Sequence, residues 1–185
     1  LQRHGIGAEP DRLVLTSGAN HAIYLVLSVL ARPGDLLVAD ELTYPCLDEM
    51  ARTLGLRVLA LRRRAGRIDL AHAANLFAAN RPRFLFVMPE FSSPTTEFLD
   101  EEERQELARL CRRANCLVLE DSVHLGLVES KGRPLQSYLP RGGFFVTSFS
   151  KVLAPGLCLG ALLCPAREFT ERIARRLGVV SRMAS

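Results

Sequence analysis

Residues 84–121, FLFVMPEFSSPTTEFLDEEERQELARLCRRANCLVLED, carry the pattern that decides the fold. Phe84–Val87 is a continuous apolar run, as expected of a strand covered on both faces. After a polar loop, the stretch from Asp100 to Ala114 has Asp100, Glu101, Glu102 and Glu103 in its first turn and Arg112 and Arg113 in its last. That order of charges complements a helix dipole. Leu107, Leu110 and Cys111 recur within it at helical spacing. Cys116–Leu119 is a second continuous apolar run, closed by Glu120 and Asp121. Strand, helix and strand in this order, with short links, describe a crossover between parallel strands.

The alternation continues in both directions. Apolar runs predict further strands at Leu13–Leu15, Leu36–Ala39, Arg57–Leu61, Phe144–Thr147 and Leu159–Leu163. Helical patterns cover Gly18–Ala31, Pro45–Leu54 and Leu70–Ala79, and a last helix begins near Glu168. Pro45 opens its segment and Gly55 follows it, the usual asymmetry of helix ends. The longest irregular connection is Lys131–Gly143. The reading is an α/β fold, three-layer α/β/α, with a mostly parallel seven-stranded sheet.

Composition agrees. With 185 residues the chain can bury about 70% of its unfolded surface without disulfides. It is 48% hydrophobic and 24% charged with a formal charge of +4, which excludes a disordered polymer. No apolar run reaches membrane-spanning length; Ala22–Ala31, interrupted by Tyr24 and Ser28, reads as a buried helix. Five cysteines (Cys46, Cys111, Cys116, Cys158 and Cys164) form no metal-binding spacing. They read as reduced core thiols of a cytoplasmic protein that holds no metal and no membrane. Arg62, Arg63, Arg64 and Arg67 lack interleaved aromatics and read as a solvated turn, not a nucleic-acid face. The chain starts at Leu1 without Met or an apolar leader, the expectation being an excised piece of a longer protein.

In open parallel sheets, ligands bind beyond the carboxyl ends of the strands. Four such ends here are polar. Ser17-Gly18-Ala19-Asn20 opens a helix after the first strand, as an ordinary cap or as an anion-binding turn. Pro89–Thr96 follows the fourth strand. Asp121 places a carboxylate at a sheet edge, as a cap, an ion-pair partner or a pocket acid. Ser148-Phe149-Ser150-Lys151 ends the sixth. Lys131 and Lys151 are the only lysines in an arginine-rich chain. A partly buried lysine can lose its proton and form imines, which arginine cannot do.

Taken together, the order of anion turn, aromatic Tyr44, Asp121 and Lys151 resembles the pyridoxal-phosphate enzymes of the aspartate aminotransferase family, class I/II, fold type I. The resemblance runs along almost the whole chain, from GAEPDRLVLTSGANHA (7–22) through TYP (43–45), SPTT (93–96) and LEDSVH (119–124) to TSFSKVLAPGLCLG (147–160). The phrases LVLTSGANHA, PTT and SFSKVLAPG are most similar to the aminotransferase-like domain of MocR-type bacterial regulators, which carry a GntR-type winged helix-turn-helix ahead of it.

The resemblance implies roles. Lys151, the catalytic residue, would form an aldimine with pyridoxal 5'-phosphate, and Asp121 would pair with the ring nitrogen. Gly18, Ala19 and Asn20, with Ser148 and Ser150, would hold the phosphate, and Tyr44 would stack on the ring. Three positions depart from the family pattern. Ser93 stands for the usual Asn at the cofactor's 3-oxygen, His124 for a Tyr, and Cys158 for the Arg that clamps the phosphate. A thiol offers one weak donor and no fixed charge, so weakened cofactor binding is expected.

Residues 1–185 are therefore expected to be the cofactor-binding large domain, lacking the N-terminal segment and the C-terminal small domain of the family, and to turn over no substrate alone. Three functions follow. The first is the effector-sensing part of a regulator, binding an amine or amino acid as a homodimer and reaching DNA only through a separate domain. The second is a free-standing aminotransferase acting on an amino acid and a 2-oxo acid. The third is a cofactor-free dimerisation scaffold.

Overall fold

The apolar runs become one sheet because each has both faces covered. The computed structural model describes residues 6, 7 and 9–180. Its strands are β1 (Leu13–Thr16), β2 (Leu36–Asp40), β3 (Arg57–Leu61), β4 (Arg63–Arg64), β5 (Arg67–Ile68), β6 (Phe84–Val87), β7 (Leu117–Asp121), β8 (Gly143–Ser148) and β9 (Gly160–Leu163). The helices are α1 (Ala19–Leu30), α2 (Pro45–Thr53), α3 (Leu70–Asn80), α4 (Glu101–Ala114) and α5 (Arg167–Val180). Seven strands pair in the order β1-β9-β8-β7-β6-β2-β3. Neighbours from β8 through β3 are parallel, and β9 runs antiparallel to both β8 and β1. The sheet is thus mostly parallel, with one reversed strand.

Successive side chains of a strand point to opposite faces, and two cores follow from that. Leu37, Ala39, Phe84 and Phe86 pack with Leu25, Leu27, Leu47 and Ile173 from α1, α2 and α5. Val38, Leu85, Val87 and Val118 pack with Phe77, Leu107 and Cys111 from α3 and α4. Helix α4 is fixed at its start by a capping box. The Asp100 carboxylate accepts from Glu103 N at 2.9 Å, and the Glu103 carboxylate accepts from Asp100 N at 3.0 Å.

Several expectations are refined or corrected. Asp121 ends β7, the fourth of seven strands, so it lies at the carboxyl edge of the sheet, as expected, on its central strand. The stretch 131–143 is not wholly irregular, since it holds a 3-10 turn at Leu135–Tyr138. The arginine cluster is a turn with Arg62, Arg64 and Arg67 exposed, as expected, but it is built as the β4–β5 hairpin, reversed at Ala65 and Gly66 with φ of 48° and 80°. Within it Arg63 is largely buried, donating to Asp40 at 3.0 and 2.9 Å. Cys111, Cys116 and Cys164 are core thiols as expected, but Cys46 and Cys158 are exposed. Among the described residues, no helix is long and apolar enough to cross a membrane, and no cluster of metal-ligating side chains occurs.

Candidate functional site

The carboxyl ends of β6, β7 and β8 and the start of α1 enclose a cavity of about 310 Å³. That volume is at the small end of ligand sites. It is lined by Gly18, Ala19, Asn20, Tyr44, Ser93, Asp121, His124, Ser148, Ser150 and Lys151, all the residues that the sequence singled out. Ser17, Met88, Val123 and Cys158 complete it. Ser17 lies in the quoted turn and Cys158 was noted only as a departure. Met88 and Val123 had a readable signal, because one directly follows β6 and the other lies two residues beyond Asp121.

The turn before α1 is shaped by glycine. Gly18 has φ 88° and ψ 173° at the N-cap, a conformation that side chains disfavour. Its carbonyl accepts from Thr16 Oγ1 at 2.9 Å, while Ser17 N donates to His21 Nδ1 at 3.2 Å. A Cβ on Gly160 would meet the Gly18 carbonyl carbon at 2.6 Å, so β9 backs directly onto the turn. The first amides of α1 have no partner within the helix and are available to an anion. Asn20 Nδ2 donates to Tyr44 Oη at 2.8 Å, tying α1 to the start of α2.

Asp121 is buried, and one hydrogen bond reaches it among the described residues, from Val123 N at 3.3 Å. Burial pushes its pKa up to about 7, against the opposing pull of Lys151. Behind it is a satisfied network. Ser122 Oγ donates to Glu90 Oε2 at 2.9 Å, and the fully buried Arg104 Nη1 meets Glu90 Oε1 at 2.9 Å. Ser130 Oγ donates to the same Glu90 oxygen at 2.8 Å. Arg104 also donates to the carbonyls of Leu99, Arg133 and Pro89. Glu120 is buried on the opposite face, and burial raises its pKa to about 8.

On the far wall, Ser148 Oγ accepts from Ser150 N at 3.1 Å and donates to the Leu159 carbonyl at 3.1 Å. Lys151 is exposed, as is every residue from Lys151 to Cys158, so the expectation of a partly buried lysine is corrected. His124 has a buried Nδ1 without a hydrogen-bond partner among the described residues and packs edge-on to Phe91 at 5.7 Å. Burial first, and Lys151 second, lower its pKa and so favour the neutral ring. The arrangement can seat a molecule that offers a positive or N–H group to Asp121, an anion to the turn, and an electrophile to Lys151.

Known proteins resemble this chain in sequence and fold. Residues 2–184 match the family model described as aminotransferase class I and II. The HTH-type transcriptional regulator YdeF of Bacillus subtilis is 28% identical over 96% of this chain and 38% of its own length. The HTH-type transcriptional regulator TauR of Rhodobacter capsulatus is 32% identical over 90% of this chain and 34% of its own. The chain thus spans well under half the length of these two relatives. Among solved structures, LysN, the α-aminoadipate aminotransferase of Thermus thermophilus complexed with N-(5'-phosphopyridoxyl)-L-leucine, superposes with a TM-score of 0.85. It is 26% identical over 95% of this chain and 47% of that one.

Proposed function

The chain belongs to the class I and II aminotransferases, and from that premise we propose that it binds pyridoxal 5'-phosphate as the effector-sensing domain of a MocR/GntR-type regulator. The observation that carries the reading is Asp121, a buried carboxylate with one hydrogen bond among the described residues, facing a cavity that also holds Lys151. The residues present fit the cofactor. A buried acid that forms no ion pair among the described residues is suited to a cationic group of a ligand, and a pyridine nitrogen that keeps its proton supplies it.

In this reading Asp121 holds a proton at the ring nitrogen, and Lys151 offers its amine to the aldehyde. The α1 amides at Gly18, Ala19 and Asn20, with Ser148 and Ser150, face the phosphate. Tyr44 covers the ring, kept in place by Asn20. Ser93 and the unpartnered His124 Nδ1 are the polar groups left for the ring oxygen. Bound there, the cofactor supplies an aldehyde that condenses with amines and a ring that withdraws electrons.

The ligand sensed is an amine or amino acid, since that is what the aldehyde captures. Phe149, Val152, Leu153 and Leu157 expose apolar surface beside the cavity, and a second copy of the chain covers it in a homodimer. The regulator-named relatives support placing DNA contacts in a separate domain of a longer, cytoplasmic protein, of which residues 1–185 are the cofactor-binding large domain. Turnover by this chain alone is not part of the reading.

A second reading, a PLP-dependent aminotransferase, is favoured by the presence of both Lys151 and Asp121 in one cavity. Borohydride trapping tests the cofactor. PLP is added to the purified protein, the product is reduced, and the modified peptide is located by mass spectrometry with Lys151→Ala as control. A pyridoxyl group on Lys151, lost in the variant, is the expected result. No label, or equal labelling of Lys131, leaves the cofactor-free scaffold. Conversion of bound PLP to pyridoxamine phosphate by amino acids would favour the transaminase over the sensor.

A further inference from the structure

The chain contains 24 lysine and arginine residues, yet among the described residues no arginine lines the cavity. Its charged side chains are one basic group, Lys151, and one acid, Asp121, and burial favours the neutral form of His124. The wall formed by the α1 turn and the 148–158 segment, where a phosphate would sit, is short of free donors. Ser17 N is committed to His21 Nδ1, the Asn20 amide to Tyr44, and the Ser148 hydroxyl to the Leu159 carbonyl. The Ser150 hydroxyl is itself paired with Ser148 Oγ at 3.0 Å, so what remains is neutral, namely the first-turn amides of α1. Cys158 closes the wall with an exposed thiol whose polar neighbour is the Pro155 carbonyl at 3.8 Å. A thiol is a weak donor and brings no charge.

We propose that this wall is a neutral cradle and that the site accepts unphosphorylated pyridoxal nearly as well as its 5'-phosphate. Recognition then lies with the ring nitrogen at Asp121 and the aldehyde at Lys151. The inference rests on the cofactor reading above. A contact to a fixed cation strengthens binding by roughly tenfold to a hundredfold, and among the described residues none stands on the phosphate side.

Equilibrium dialysis of the full-length protein with pyridoxal and, separately, with PLP gives both dissociation constants. Borohydride trapping on Lys151 confirms that each ligand occupies the site. The expected affinities lie within about tenfold of each other and change little with salt. Cys158→Arg is expected to tighten PLP about tenfold and leave pyridoxal unchanged, with the gain eroded by salt. Position 158 is exposed, so the larger side chain needs no room in the core, and Cys158→Lys should act in the same direction. A wild-type preference for PLP above about a hundredfold overturns the inference while leaving the cofactor reading intact. So does a Cys158→Arg variant that tightens both ligands equally, or neither. If neither ligand reaches Lys151, the cofactor reading falls, and this inference with it.

Discussion

Two buried acids, Glu90 and Asp121, are treated oppositely by the same fold. Glu90 is enclosed by Arg104, Ser122 and Ser130, so its charge is fully answered from within the protein. Asp121, one residue from the serine that serves Glu90, receives a single backbone hydrogen bond among the described residues and faces a cavity. Leaving a buried polar group unsatisfied costs stability, so folds rarely do it without a use. The contrast separates a charge that holds the chain together from one reserved for a ligand.

The largest expected effect breaks the satisfied side. Arg104→Ala strands Glu90 as a buried charge and should cost about 3–5 kcal/mol in urea unfolding. A loss below about 1 kcal/mol would mean that water or rearrangement answers Glu90, and the contrast would dissolve.

The next acts on the unsatisfied side, with the opposite sign. The Asp121 pKa is raised from 3.8 to about 7 by folding, chiefly through burial. Its stabilising contribution is therefore present below about pH 4 and lost as pH rises to 7. Glu120, raised from 4.5 to about 8, adds a loss of the same sign. The ligand-free protein should be more stable at pH 5 than at pH 8 by denaturant titration. Asp121→Asn should recover on the order of 2 kcal/mol at pH 8 while abolishing cofactor retention. Equal stability of variant and wild type at pH 8 would show that Asp121 is answered by a group other than a ligand.

The smallest expected effect sharpens the comparison at the start of α4, where charge is answered but open to solvent. Asp100→Ala removes the cap from Glu103 N and should lower stability by about 1 kcal/mol, read from the urea midpoint. A loss as large as that at Arg104 would mean that burial is not what separates these sites.

Much of this was legible before the coordinates. FLFV and CLVL read as strands because both of their faces are covered, and the cap of α4 was written in its charges. The reversal of β9 was not, since GALL has the same composition whichever way it runs. The β4–β5 hairpin was missed because two-residue strands made of arginine carry no apolar alternation. Arg63 is buried by Asp40, which is distant in sequence. Arg104 had a usable signal, because it precedes Ala108 and Cys111 by helical steps and so shares their buried face. Partial burial of Lys151 was not borne out, because the apolar residues beside it, Phe149, Val152 and Leu153, are themselves exposed. The cavity residues were legible because each closes or follows a strand, and strand ends are readable.

The backing of Gly18 by Gly160 has a consequence for synthesis. Strand β1 has β9 as its sheet partner, Leu13 lying opposite Leu163. As the protein leaves the ribosome, the segment that opens the site waits, unpaired, for the segment that closes it. Closing so long a loop is slow, and the intermediate keeps an unpaired strand in water until then. The nascent chain therefore has no competent pocket until residues past 160 have emerged. A ligand of this pocket acts only after β9 has paired with β1, favouring the closed product rather than guiding its assembly.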